Sequence, residues 1–154
     1  MSFAAIIHGG NGITWFKYGG NVGEKGARYS GMFRTPEDWT AMTNITRRIE
    51  ALSPLLTERT PPQPPVPEIV EGPKTDPLGQ PSVTMLLKRR KNVLCLMAVN
   101  AANEKVRARF NLGSLKATKV GVSWEGRTVA FSHGVFEDDF GPFGVHVYRL
   151  VVSR

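Results

Sequence analysis

The chain has 154 residues, 41% of them hydrophobic, and a formal net charge of +7. That is enough apolar material for one ordinary domain with a core, and it excludes a chain disordered throughout. No apolar run approaches the roughly 20 residues that span a bilayer, and the single Cys95 excludes an internal disulfide. The opening "MSFAAIIHGG" lacks a basic flank and a full-length apolar region, so neither leader nor anchor is expected and localisation stays open.

Residues 1–60 read as an α/β segment. "SFAAII" has the character of a helix end, and "GITWFKY" is a short aromatic and β-branched run suited to a buried strand. The surrounding stretch "HGGNGITWFKYGG" is rich in glycine, but Gly9, Gly10 and Gly12 precede the apolar run. A phosphate cradle leaves a strand and opens a helix, so the order is wrong for one. "GGNVGEKGARYSGMF" then reads as a loop.

A helix follows in "RTPEDWTAMTNITRRIEALSP". Thr35 stands as N-cap, Pro36 needs no N–H partner at the first position, and Glu37 and Asp38 complement the positive end of the dipole. Trp39, Met42, Ile45, Ile49 and Leu52 form one apolar stripe. Pro54 disfavours helical geometry at Ser53 and is expected to stop the helix there.

Residues 57–81 carry 8 of the chain's 11 prolines. This composition predicts an extended, semi-rigid linker over 61–81. Residues 82–154 read as all-β, from "SVTMLLK", "NVLCLMAVN", "KVRARFNL", "KVGVSWE", "RTVAFSH" and "GVHVYRLVV" with turn signals between them. Six to eight strands without an intervening helix predict an antiparallel sandwich. The expected fold class is therefore mainly β: an antiparallel β-sandwich preceded by a short α/β remnant of one strand and one long helix.

Charge concentrates in the same region, where residues 82–154 hold 12 Lys and Arg against 5 Asp and Glu. The dense cluster "KRRK", Lys88 to Lys91, is expected at a hairpin tip, where charge blocks edge pairing. A nucleic-acid partner would use that cluster and is the least favoured of three readings. Cys95, between Leu94 and Leu96, reads as a small buried hydrophobe. His8, His133 and His146 show no metal-ligand spacing, so no metal and no cofactor is expected. Ser132 beside His133 is sequence proximity alone. Glu125, before Gly126, reads as a solvated turn carboxylate, and His146 as a strand histidine held by a hydrogen bond to Asp138.

The tail "EGRTVAFSHGVFEDDFGPFGVHVYRL" carries a resemblance. Gly134, Phe136, Asp138, Phe140, Pro142, Val145, His146, Tyr148 and Arg149 resemble the closing pattern of the small β-sandwich that follows the (β/α)8 barrel in many bacterial glycoside-hydrolase-like proteins. Within that pattern Asp138, His146 and Tyr148 take structural roles. The first 60 residues are similar to the last strand and helix of such barrels. The resemblance thus implies a fragment or truncated gene, one βα unit plus the accessory domain.

It also implies that the catalytic carboxylates lie on absent strands. Glycoside hydrolysis generally needs two carboxyl groups about 5 to 9.5 Å apart. Asp138 and Asp139 are adjacent, so on a strand they point to opposite faces, and no catalytic residue is expected in this chain.

Trp15, near the C-terminal end of the expected barrel strand, is the residue assigned to substrate binding, since an aromatic ring there can stack on a sugar. Tyr18 is the second, and packing as core is the competing reading of Trp15. The expected function is a non-catalytic accessory portion of a glycoside-hydrolase-like protein. The alternative is a free-standing carbohydrate-binding sandwich, for which Trp124 is the first residue to test. Carbohydrate is the implied partner in both cases. An orphaned βα unit would leave apolar surface bare, so residues 1–60 are expected to fold back on the sandwich or to drive self-association.

Overall fold

The computed structural model describes residues 2–15, 36–61, 64–115, 117 and 119–152. The chain divides into two compact units, one of Met1–Asn11 with Leu55–Arg154 and the other of Gly12–Pro54. Helix α1 is Ser2–Ile7 and helix α2 is Pro36–Leu56. Eight strands follow: β1 Glu68–Glu71, β2 Val83–Arg90, β3 Val93–Asn100, β4 Val106–Asn111, β5 Val120–Val122, β6 Arg127–Val129, β7 Val135–Phe140 and β8 Val145–Val151. Their ladders are all antiparallel. The protein is mainly β, as its sequence predicts.

The strands build a three-stranded sheet in the order β1-β4-β7 and a five-stranded sheet in the order β2-β3-β8-β5-β6. One core lies between them. Val106, Ala108, Phe110, Phe136 and Phe140 come from the smaller sheet, and Val83, Leu87, Leu94, Leu96, Ala98, Val120, Val122, Tyr148 and Leu150 from the larger. Strand alternation explains the choice, because every second residue faces inward. In β4, Val106, Ala108 and Phe110 are buried while Arg107 is exposed and Arg109 half-buried.

Strand β3 departs from alternation. Cys95, Met97 and Val99 point away from the core, yet they are as buried as Leu94, Leu96 and Ala98. A second apolar layer covers them: α1 packs across β2 and β3, with Phe3, Ile6 and Ile7 buried. Burial pushes the Cys95 thiol up to about 11, against the pull of Arg149. That makes it a poor nucleophile, in keeping with its reading as a buried hydrophobe.

Several expectations are corrected. The strand expected over "GITWFKY" is absent from its described part, since Gly12 to Trp15 take no regular structure. A strand needs a ladder partner for its N–H and C=O groups, and these residues have none among the described ladders. The remainder of that run, like Thr35 and the glycine-rich loop, lies outside the described residues. Helix α2 runs through Pro54 to Leu56 rather than stopping at Ser53. The proline sits in the last turn, where it costs one backbone hydrogen bond, and the buried Leu52 and Leu55 favour continued helix.

The proline-rich stretch expected as a linker contains a strand. Residues 68–71 form β1, which pairs with β4 through Glu68↔Arg109 and Ile69↔Ala108 before a bulge. As an edge strand it tolerates flanking prolines that a central strand would not. The expected charged hairpin tip is narrower than "KRRK": Lys88 to Arg90 belong to β2, and Lys91 and Asn92 make the turn, with Lys91 at φ 54°.

Candidate functional site

The polar groups of the sandwich converge where β6, β7 and β8 meet. Arg127 opens β6 on the larger sheet, and Asp138 lies in β7 on the smaller one. The guanidinium grips the carboxylate with two bonds, Nη1 to Oδ1 at 2.9 Å and Nη2 to Oδ2 at 2.8 Å. This is the planar fork that arginine offers and lysine cannot. The Tyr148 hydroxyl donates to the same Oδ2 at 2.8 Å. Burial and the Asp138 charge push the Tyr148 phenol far above its ordinary value, so it stays a donor.

Arg127 also donates from Nε to Glu125 Oε2 at 2.7 Å. The other oxygen of Glu125 lies 2.5 Å from His146 Nδ1, and His146 Nε2 lies 3.2 Å from the backbone oxygen of Asp139. A carboxylate and a carbonyl both accept, so both ring nitrogens face acceptors. Burial works against the Glu125 carboxylate, but the bonds from His146 and Arg127 prevail and hold its carboxyl below the usual range. Glu125 is therefore a bound carboxylate rather than a solvated one. The same geometry corrects the expected partner of His146, which is Glu125 and not Asp138.

Aromatic rings close the cluster from the core side. Phe140 lies 4.7 Å from His146, Phe136 is edge-on to Tyr148 at 4.9 Å, and Phe110 stacks on Phe136 at 4.8 Å. Gly134 starts this strand region at φ 81°, where an added Cβ would stand 1.7 Å from the Gly113 oxygen. No other residue fits there. At the same end of β8, the buried Asn100 donates to the carbonyls of Glu104 and Gly141 and accepts from the Ala102 N–H. It ties the β3–β4 loop to the β7–β8 turn.

The structure thus gathers Asp138, His146 and Tyr148 around Arg127 and Glu125. The chemistry of the cluster is cohesion between sheets, because the one guanidinium hydrogen-bonds to both carboxylates. Asp138 and Asp139 do point to opposite sides: Asp139 leaves the cluster and pairs with Arg107 at 2.7 Å. Trp15 is half-buried in the other compact unit, and Tyr18 lies outside the described residues. Among the described residues no group of His, Cys, Asp or Glu could hold a metal. Among the described residues no helix is long and apolar enough to cross a membrane.

Sequence reasoning missed Arg127, β7 and Asn100. The signal for Arg127 was its place opposite "EDD" in the tail, visible only once the two sheets are known to face each other.

No family model matches the chain, and no curated protein does. Over about 55% of its length the chain is structurally similar to parts of glycoside hydrolases, at low identity. One is a family 30 endoxylanase of Clostridium papyrosolvens, at 17% identity and a TM-score of 0.41, covering 55% of this chain and 23% of that one. A family 30 xylanase of Clostridium acetobutylicum matches at 14% identity and a TM-score of 0.38, over 55% of this chain and 24% of that one. An Anoxybacillus alpha-amylase matches at 12% identity and a TM-score of 0.40, over 58% of this chain and 18% of that one. The matched region spans under a quarter of each of these proteins.

Proposed function

We propose that this chain is a non-catalytic accessory portion of a glycoside-hydrolase-like protein, in which the sandwich stabilises what it packs on. The observation that carries the reading is β3, buried on both faces: a sandwich that only enclosed its own core would leave Cys95, Met97 and Val99 to solvent. That face is covered by α1 of this same chain, part of the segment that resembles the end of a barrel, so the sandwich packs on more than its own core. The tail motif of the sequence supports the same reading.

The absence of catalysis is argued from the carboxylates. A pair working across a glycosidic bond needs one free acid and one free base or nucleophile. Among the described residues five of the chain's thirteen carboxylates are held by hydrogen bonds from arginine: Glu125 and Asp138 by Arg127, Asp139 by Arg107, and Glu68 and Glu137 by Arg109. Incubating the full chain with aryl glycosides and polysaccharides is expected to release no product above a blank. Turnover that disappears when one carboxylate is replaced by its amide would overturn the proposal.

A further inference from the structure

Beyond the accessory role, and without resting on it, we infer that the proline run before β1 is a docking ligand for a protein domain with an aromatic-lined groove that reads polyproline II. The run is "RTPPQPPVP", residues 59–67, and Pro61, Pro64 and Pro67 recur at the three-residue period of that helix. Its described residues take neither helix nor strand.

Both ends are fixed by the fold. Glu58 lies just ahead of the run, and its backbone oxygen accepts a 2.6 Å bond from Lys88 Nζ on β2, the edge strand of the larger sheet. Glu68 follows the run and starts β1, the edge strand of the smaller sheet, where it faces Arg109 in the ladder. Proline rings restrict φ between these anchors. A partner therefore meets a segment that folding has already ordered, and little entropy remains to be lost on docking.

Exposure marks the ridge to be read. Pro64 and Val66 are exposed, Val66 at 81%, while Pro61, Pro65 and Pro67 are half-buried. The chemistry of proline then selects the occupant. Pro64, Pro65 and Pro67 have no N–H, so the run cannot complete a ladder with an added strand, and a sheet-forming partner is excluded. What it offers is a ridge of rings and one apolar branch with backbone carbonyls beside them. Flat aromatic faces pack on such a ridge, and Tyr hydroxyls or Trp indole N–H groups donate to the carbonyls. Arg59, exposed ahead of the ridge in a chain of net charge +7, favours an acidic rim on that groove.

The test titrates the full chain into isotopically labelled WW and SH3 domains, whose grooves have this chemistry, and follows the NMR shifts of the domain. Saturable shifts confined to the aromatic groove are expected for at least one of them. Pro64→Ala and Val66→Ser are each expected to weaken binding about tenfold, and Arg59→Ala less. All three sites are exposed, so the urea midpoint of each variant is expected to match the parent's, which separates lost docking from a folding defect. Absence of groove shifts with every domain tested overturns the inference. So do shifts that fall outside the groove, or Pro64→Ala and Val66→Ser chains that bind as tightly as the parent.

Discussion

On the outside of the three-stranded sheet, charges alternate across strands: Arg109 bridges Glu68 and Glu137, and Arg107 meets Asp139. On the outside of the five-stranded sheet, Cys95, Met97, Val99 and Val147 are each at most 4% exposed. The two sheets share one core and the same pleat, so strand geometry does not distinguish them. What differs is the outward-facing set of residues, charged on β4 and β7, apolar and buried on β3 and at Val147 of β8, with Arg149 and Val151 exposed farther along β8. One sheet is finished by water and the other by more protein.

The strongest way to break this contrast is to hollow the covered face. Met97 lies between Leu86 and Val147 in the ladder, pointing away from the sandwich core, with 0% exposure. Met97→Ala is expected to cost about 3 kcal/mol, as core truncations do. In urea that lowers the unfolding midpoint by roughly 1.5 M for a protein of this size. A shift of less than a third of that would mean the outer layer is loosely held and the face is not a second core.

Next in size is the junction between the sheets. Arg127→Met leaves Asp138, whose side chain is 11% exposed, with Tyr148 as its remaining side-chain partner. Removing one member of a buried pair costs several kcal/mol, and because Arg127 is itself 37% exposed the expectation falls to about 2 kcal/mol. The change has a pH signature. Glu125 titrates lower when folded than its ordinary value, so its contribution is fully present above about pH 4.3 and is lost as pH falls through the folded value. Without Arg127 that depression shrinks, and the acid limb of stability against pH becomes shallower. An unchanged acid limb would show that His146 alone holds the carboxylate.

The sandwich was legible because alternation and turns are local: Val106, Ala108 and Phe110 announce β4 wherever the chain folds. Strand β1 was hidden because four residues among prolines carry no periodic signal, and only pairing with β4 makes them a strand. The cluster was half legible. The tail motif marks Asp138, His146 and Tyr148, but their partner Arg127 is set by how two sheets face each other, which no local pattern encodes. The same holds for Glu125, which in sequence is one acidic residue before a turn glycine. The run at Ile13 misled because an apolar stretch states a wish for burial, not which partner satisfies it.

The smallest effect is expected on the charged face. Arg107 and Asp139 meet at 2.7 Å, yet their side chains are 44% and 71% exposed. Water already solvates both, and the pair gains little over separate hydration. The Arg107 bond and charge hold the Asp139 carboxyl below its usual range, so the pair exists, but at roughly 0.5 M salt the attraction is screened over a few ångströms. Arg107→Ala is therefore expected to leave the urea midpoint unresolved from the parent, with any small difference vanishing as salt rises. A shift as large as that of Met97→Ala would mean the three-stranded sheet is covered too. The contrast between the faces would then collapse, and with it the argument that only one of them was built to be packed upon.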